Sequence, residues 1–148
     1  MIERMNRLRE LRGLRRSIAE RDVARAQTER TEFERRVREA QDAHERTVMD
    51  STARRDRTID KLSNAPGTPL TLARMANVQA ASAHEIAVSE QGVETEREGL
   101  AEAEAALDER RDVLSRFLKK ERATEGAIER HEEDTRHLPE PGEEDEDG

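Results

Sequence analysis

Apolar residues recur every seven positions along two parts of the chain. In the second half the repeat consists of Leu72, Ile86, Val93, Leu100, Leu107 and Leu114, with the polar Gln79 in the one remaining place. In the first half it consists of Ala19, Ala26, Phe33 and Ala40. A seven-residue apolar repeat is typical of helices that pack in a left-handed coiled coil. The pattern therefore predicts two long helices.

Proline and glycine mark where these helices end. The segment from Asn64 to Pro69 contains two prolines and a glycine, and Thr68 before Pro69 suits the first positions of a helix. We therefore expect helix over 1–63, a turn over 64–69 and helix over 70–137, each helix spanning roughly 90–95 Å at about 1.5 Å per residue. Residues 138–148 combine Pro139 and Pro141 with an acidic run, and we expect this tail to be disordered.

If the chain folds back at this turn, facing residues have numbers that sum to about 133. Phe33 then faces Leu100 and meets Gly99, which has no side chain to exclude it. The other layers pair Ala19 with Leu114, Ala26 with Leu107 and Ala40 with Val93. The prediction is an all-α fold, a long antiparallel two-helix coiled-coil hairpin. The second row of the seam is largely polar, so either polar residues set the register of a weak hairpin or a partner completes its surface. A third possibility is that two chains pair in a longer rod.

Composition and local charge agree with long helices. Only 25 of 148 residues are Leu, Ile, Val or Phe, too few for an ordinary globular core, and 42% are charged. Acid-first pairs four residues apart, which stabilise helices, occur at Glu3/Arg7, Glu32/Arg36, Glu34/Arg38, Asp42/Arg46, Asp50/Arg54 and Asp112/Arg116. No apolar run is long enough to span a membrane, so we expect no membrane insertion.

The sequence offers no catalytic constellation. It contains no cysteine, no phosphate-binding glycine loop and no H-E-x-x-H motif. His131, Asp134 and His137 step by three along the chain, and we interpret them as solvated residues of a helix end. Arg and acidic residues alternate after residue 16 and aromatics are almost absent, which argues against nucleic-acid binding. We expect no enzymatic activity, no cofactor and no metal.

Partner binding is the chemistry that remains. The first 16 residues form a basic segment with six Arg against two Glu. Leu8, Leu11 and Leu14 lie within this segment, and Ile18 lies just after it. With the fold-back, Phe117 and Leu118 lie near this basic segment. The region after the turn, which contains Leu70, Leu72 and Met75, is apolar and has few charges. Both regions are candidate docking surfaces. A basic amphipathic start could also bind a membrane surface or nucleic acid.

These features resemble the YscO/FliJ family, the central stalk proteins of bacterial type III secretion and flagellar export. The opening Met-Ile and the repeated Leu-Arg steps of residues 1–12 are similar to the N-terminus of YscO-type proteins, and length, mid-chain turn and acidic C-terminal tail match as well. The resemblance implies a cytoplasmic protein at the cytoplasmic face of a bacterial secretion apparatus. It would bridge the hexameric secretion ATPase to the cytoplasmic ring of the export gate, with chaperones as further partners.

The resemblance also implies where each partner binds. The paired termini would enter the ATPase ring through Arg4, Leu8, Leu11, Arg12, Arg15, Arg16, Phe117 and Leu118. The turn region would face the export gate through Leu70, Leu72, Met75, Ala76, Gln79 and Ala83. We therefore expect a non-enzymatic stalk that promotes protein export. The rival hypothesis is a coiled-coil secretion chaperone or adaptor that binds exported cargo.

Overall fold

The computed structural model describes residues 1–138 and contains two long helices. Helix α1 is Ile2–Ser63 and helix α2 is Pro69–Arg136. No strand occurs in this described range. The all-helical prediction is confirmed. The end of α1 lies at residue 63 as expected, and the other three helix ends differ from the expected ones by a single residue. The predicted acidic tail, apart from Leu138, lies outside the described residues.

The turn between the helices follows from its residue types. Thr68 caps α2, because its Oγ1 accepts a hydrogen bond from the Thr71 backbone N–H at 3.2 Å. The Thr71 hydroxyl in turn donates to the Pro66 carbonyl at 2.9 Å. Pro69 occupies the first helical position, where its missing N–H costs no helical hydrogen bond. The cap and the two prolines together end one helix and begin the next.

The chain forms two compact units, each of which takes a segment from both helices. Unit 1 combines Met1–Arg25 with the described residues from Asp108 onward, and unit 2 is Ala26–Leu107. Unit 1 buries Ala19, Thr124 and Ile128. Unit 2 contains the turn and the other buried side chains of the described residues, among them Leu107, which is only 1% exposed.

Within unit 2 the two helical segments run antiparallel in the register expected from the fold-back. The Ser51 and Ser82 hydroxyls hydrogen-bond to each other at 2.8 Å. His44 Nδ1 lies 2.6 Å from the Ser89 hydroxyl. Both pairs of residue numbers sum to 133. Phe33 packs against Gly99 so closely that a Cβ on Gly99 would overlap its ring.

The seven-residue repeat is interrupted at the Ser51–Ser82 pair, in both helices. Before Ser51, successive inward positions of α1 are separated by four and three residues in turn. From Thr47 to Ser51 and again from Ser51 to Arg55 the separation is four residues. On α2 the same interruption runs through Val78, Ser82 and Ile86. An insertion of this kind shifts the phase of the apolar stripe around a helix. The inward residues between the turn and Ser82 are therefore Thr71, Met75 and Val78.

This phase shift corrects the predicted repeat near the turn. Leu72 and Gln79 are exposed, because the stripe has moved by one position to Thr71 and Val78. The predicted seam residues are all buried or half-buried. Those that are buried are Ala19, Ala26, Val93 and Leu107, and those that are half-buried are Phe33, Ala40, Ile86, Leu100 and Leu114.

Local ion pairs differ from the acid-first pattern that the sequence predicts. Of those six pairs only Glu32–Arg36 forms, at 3.5 Å. Arg-first pairs form in their place, such as Arg16–Glu20 and Arg30–Glu34. One of the missing pairs has a tertiary reason: Arg54, expected to pair with Asp50, instead reaches Glu85 on the other helix at 3.5 Å.

Candidate partner-binding surfaces

In unit 1, three arginines near the start of α1 make contacts with α2. Arg9 makes two hydrogen bonds of 2.7 Å to the carboxylate of Glu125, one from Nε and one from an Nη. Arg16 lies 3.2 Å from Glu121. Arg12 donates to the Thr124 hydroxyl and to the Lys120 carbonyl. These three side chains hold α1 against α2.

Two arginines of the predicted ATPase interface therefore make contacts within the protein. Arg12 and Arg16 are half-buried and bound to α2, so they are not free for a partner in this arrangement. Phe117 and Leu118 are half-buried as well. Of the predicted set, Arg4, Leu8, Leu11 and Arg15 are exposed.

The exposed aliphatic side chains of α1 include two that the predicted interface omits. Leu14 is 59% exposed and Ile18 is 51% exposed, more than Leu8 at 40% or Leu11 at 44%. Their spacing was a usable signal, since residues 11, 14 and 18 lie on one helical face. The signal is hard to recognise because the inward residues of the same segment are also three and four positions apart.

Unit 2 presents exposed apolar residues just after the turn. Leu70 and Leu72 are 61% and 62% exposed. Ala76, Gln79 and Ala83 of the predicted gate interface are exposed too, whereas Met75 is half-buried on the inward side. The phase shift at Ser82 produces this surface, because it turns Leu72 outward and places Thr71 inward.

The polar layers of unit 2 open into shallow grooves rather than an enclosed cavity. The groove beside Ser51 and Ser82 has a volume of about 140 Å³. Arg54 and Glu85 form part of its wall and lie 3.5 Å apart. These two exposed side chains and the paired serine hydroxyls supply polar groups to a groove that Val78 and Ala81 also line.

Two groups of charges have pKa values shifted by direct hydrogen bonds. The hydrogen bond to Glu125 raises the pKa of Arg9 above its ordinary value. The hydrogen bond from Arg35 lowers the pKa of Glu32 below its ordinary value of 4.5. Arg35 bridges Glu32 and Glu39 along α1, and both contacts raise its own pKa. These hydrogen bonds favour the charged forms of the side chains. The Arg9–Glu125 bonds connect the two helices, and the Arg35 bonds connect turns of α1.

Residues 1–138 contain no cluster suited to a metal ion and no helix suited to crossing a membrane. In that range no group of three or more His, Asp or Glu side chains is placed to hold a metal ion. His44 is bonded to Ser89, and the Thr135 hydroxyl near the end of α2 donates to the carbonyl of His131. Neither helix contains a stretch long and apolar enough to cross a membrane.

Comparison with family models, curated proteins and solved structures finds no match to this chain.

Proposed function

We propose that this protein is a non-enzymatic central stalk of a type III secretion export apparatus. In this role it links the hexameric secretion ATPase to the cytoplasmic ring of the export gate and promotes protein export. Unit 1 would contact the ATPase and unit 2 would contact the gate. The proposal includes a coiled-coil packing of the two helices and a location at the cytoplasmic face of the apparatus.

The observation that carries the proposal is that each unit has at least one uncovered apolar surface. Unit 1 exposes Leu11, Leu14 and Ile18, and unit 2 exposes Leu70 and Leu72. In a chain with so few large apolar residues, aliphatic side chains left in water are costly unless a partner covers them. Two such surfaces in different units suit a protein that binds two partners.

The charges around the two surfaces differ, which suits two different partners. The unit 1 surface lies among arginines, including Arg4 and Arg15. The unit 2 surface has Arg74 as its nearest basic neighbour along the chain and is otherwise neutral between residues 69 and 84. Binding at unit 1 should therefore weaken with salt, whereas binding at unit 2 should depend mainly on apolar contact.

The test uses two double variants in the full-length chain. Leu11→Asp with Leu14→Asp should abolish binding to the secretion ATPase and leave gate binding unchanged. Leu70→Asp with Leu72→Asp should have the opposite effect. All four side chains are exposed, so neither variant removes buried packing. Circular dichroism checks that both remain helical, and pull-down with each purified partner measures binding.

Loss of both interactions in either variant, or of neither, would contradict the two-surface proposal. Exported cargo is included as a third bait. If the native chain captures cargo and binds neither ATPase nor gate, the protein is instead a secretion chaperone or adaptor.

A further inference from the structure

Helix α1 carries a second row of regularly spaced residues, separate from the row that packs against α2. We call it the outer row. Its members follow steps of three and four from residue 4 to residue 25: Arg4, Arg7, Leu11, Leu14, Ile18, Arg21 and Arg25. All seven are exposed and all lie in unit 1. The row has three aliphatic side chains at its centre and two arginines at each end.

The outer row has the spacing of a helix-packing seam. Steps of three and four keep side chains on one face, and they are the steps by which one helix meets another. At 3.6 residues per turn, the row lies roughly 140° around α1 from the inward residues Arg12, Arg16, Ala19 and Val23. The face is thus turned away from α2, and α2 does not cover it. Over 22 positions it extends for about 32 Å.

The four end arginines are available to a partner. Arg4, Arg7, Arg21 and Arg25 make no ion pair or hydrogen bond through their side chains within residues 1–138. By contrast Arg9, Arg12 and Arg16, on the inward side of the same segment, are all bonded to α2. The segment thus uses its inward arginines for contacts with α2 and leaves these outward ones unpaired.

We infer that the outer row binds an amphipathic helix of a partner protein whose own row is apolar at the centre and acidic at both ends. The centre would bury Leu11, Leu14 and Ile18, and carboxylates at each end would pair with arginines. This inference names the element recognised by the surface that the proposed function assigns to the ATPase, and to that extent it rests on the proposed function.

Charge decides between this occupant and a second copy of the chain. If two outer rows met, parallel or antiparallel, the end arginines of one would lie against those of the other. Like charges in contact oppose association. A membrane is a poorer match as well, because the apolar part is one side chain wide and an interfacial helix needs a broad apolar face.

The experiment measures binding of the full-length chain to two synthetic helices by fluorescence anisotropy. The first is an alanine-rich 22-residue helix with Leu at three central row positions and Glu at the two row positions on each side. The second carries Lys in place of Glu. We expect the Glu helix to bind at least about tenfold more tightly than the Lys helix, with a preference that shrinks as salt rises.

Two protein variants locate the binding. With Arg4→Glu, Arg7→Glu, Arg21→Glu and Arg25→Glu together, the preference should reverse in favour of the Lys helix. Leu14→Asp should lower affinity for the Glu helix by at least about tenfold without loss of helix content, because Leu14 is 59% exposed. The matched control reverses four exposed arginines outside the row and should keep the original preference: Arg38→Glu, Arg46→Glu, Arg111→Glu and Arg116→Glu.

Equal affinity for the two helices, or no effect of Leu14→Asp, would overturn the inference. So would a dimer of the native chain that Leu14→Asp dissociates, or binding to phosphatidylserine vesicles in place of the Glu helix. The ATPase is then measured against the same variants. If the ATPase binds all variants equally while the Glu helix distinguishes between them, the outer row is still a helix-binding surface. Its assignment to the ATPase then fails.

Discussion

Phe33 packs its ring against the backbone of Gly99, at a layer where the absence of a side chain creates the necessary space. The guanidinium of Arg36 lies 5.1 Å from the centre of the same ring, at a distance suited to cation–π attraction. A half-buried aromatic side chain is thus held between a glycine on α2 and a cation on α1. The glycine at this position is explained by packing, although it weakens the helix that contains it.

Alanine substitutions at two glycines of α2 should have opposite effects. Gly99→Ala introduces a Cβ into the Phe33 ring, and overpacking of about 1–3 kcal/mol should exceed the gain in helix propensity of about 1 kcal/mol. Gly92→Ala meets nothing within 4 Å, so it should stabilise by about 1 kcal/mol. Urea unfolding followed by circular dichroism measures both. A stabilising Gly99→Ala would contradict the close packing.

The Ser51–Ser82 pair should be strongly coupled. Both residues are buried, at 3% and 5% exposure, and their hydroxyls bond each other. Ser51→Ala alone removes the partner of the Ser82 hydroxyl in a buried layer, which should cost about 1–3 kcal/mol. Ser51→Ala with Ser82→Ala should cost less than the sum of the single substitutions. A double-mutant cycle measures the coupling, and additive effects would show that the hydrogen bond contributes nothing.

At the scale of an element, α1 is supported by ion pairs along its own surface. Arg35 bonds Glu32 and Glu39, and the Arg36–Glu32 contact overlaps that network. Long helices with weak apolar faces depend on such local support, although each exposed pair contributes little. The network is therefore a place where acid should weaken α1.

The Glu32 network predicts a pH dependence whose sign follows from its lowered pKa. The contribution of the Glu32 carboxylate is present above the ordinary value of 4.5 and is lost as pH falls through the lower folded-state value. Glu32→Gln should therefore lower the melting temperature at about pH 7 and leave it unchanged at about pH 2. Glu45→Gln is the control, because Glu45 makes no ion pair within residues 1–138. An equal difference at both pH values would contradict the assignment.

The elements were predictable where the signal is local. Proline, glycine and the Thr68 cap mark the turn, and the seven-residue repeat predicts which residues meet, down to Phe33 with Gly99. The repeat does not face inward at Leu72 and Gln79, which the prediction assigns to the gate interface, because it is interrupted at Ser51 and Ser82. Two small polar residues give no apolar signal, and their role is visible only when the helices are paired.

The candidate surfaces were only partly predictable, for a related reason. Arg12 and Arg16 were expected to face a partner, yet they bind α2. In residues 4–25 the inward and outer rows use the same steps of three and four and both contain arginine. Sequence spacing cannot tell which row faces α2, since the decision depends on Thr124 and Glu121 of the other helix. The omission of Leu14 and Ile18 follows from the same ambiguity.

At the scale of the whole molecule, we expect a monomer. The predicted seam residues avoid full exposure within their own units, and the outer rows of two copies would bring like charges together. Sedimentation equilibrium should give 16.9 kDa at low and high salt. A mass twice as large would support the rival arrangement, in which two chains pair.

The glycine beneath Phe33 has a counterpart one repeat away. Gly92 lies seven residues before Gly99, so α1 could slide by one repeat along α2 and Phe33 would again find an empty place. A helix pair built on a regular repeat is open to such slippage, because each apolar residue then meets an equivalent one.

Polar residues make that slide unfavourable. After a slide of seven residues Ser51 would face Met75 and lose its hydroxyl partner, and Arg30, now 3.9 Å from Glu104, would approach Arg97. Phe33 therefore permits two alignments of the helices, and the polar layers select one together with the short turn between Ser63 and Pro69. A protein in which both serines were replaced by alanine would lose part of that selection, and its helices would become freer to exchange between alignments.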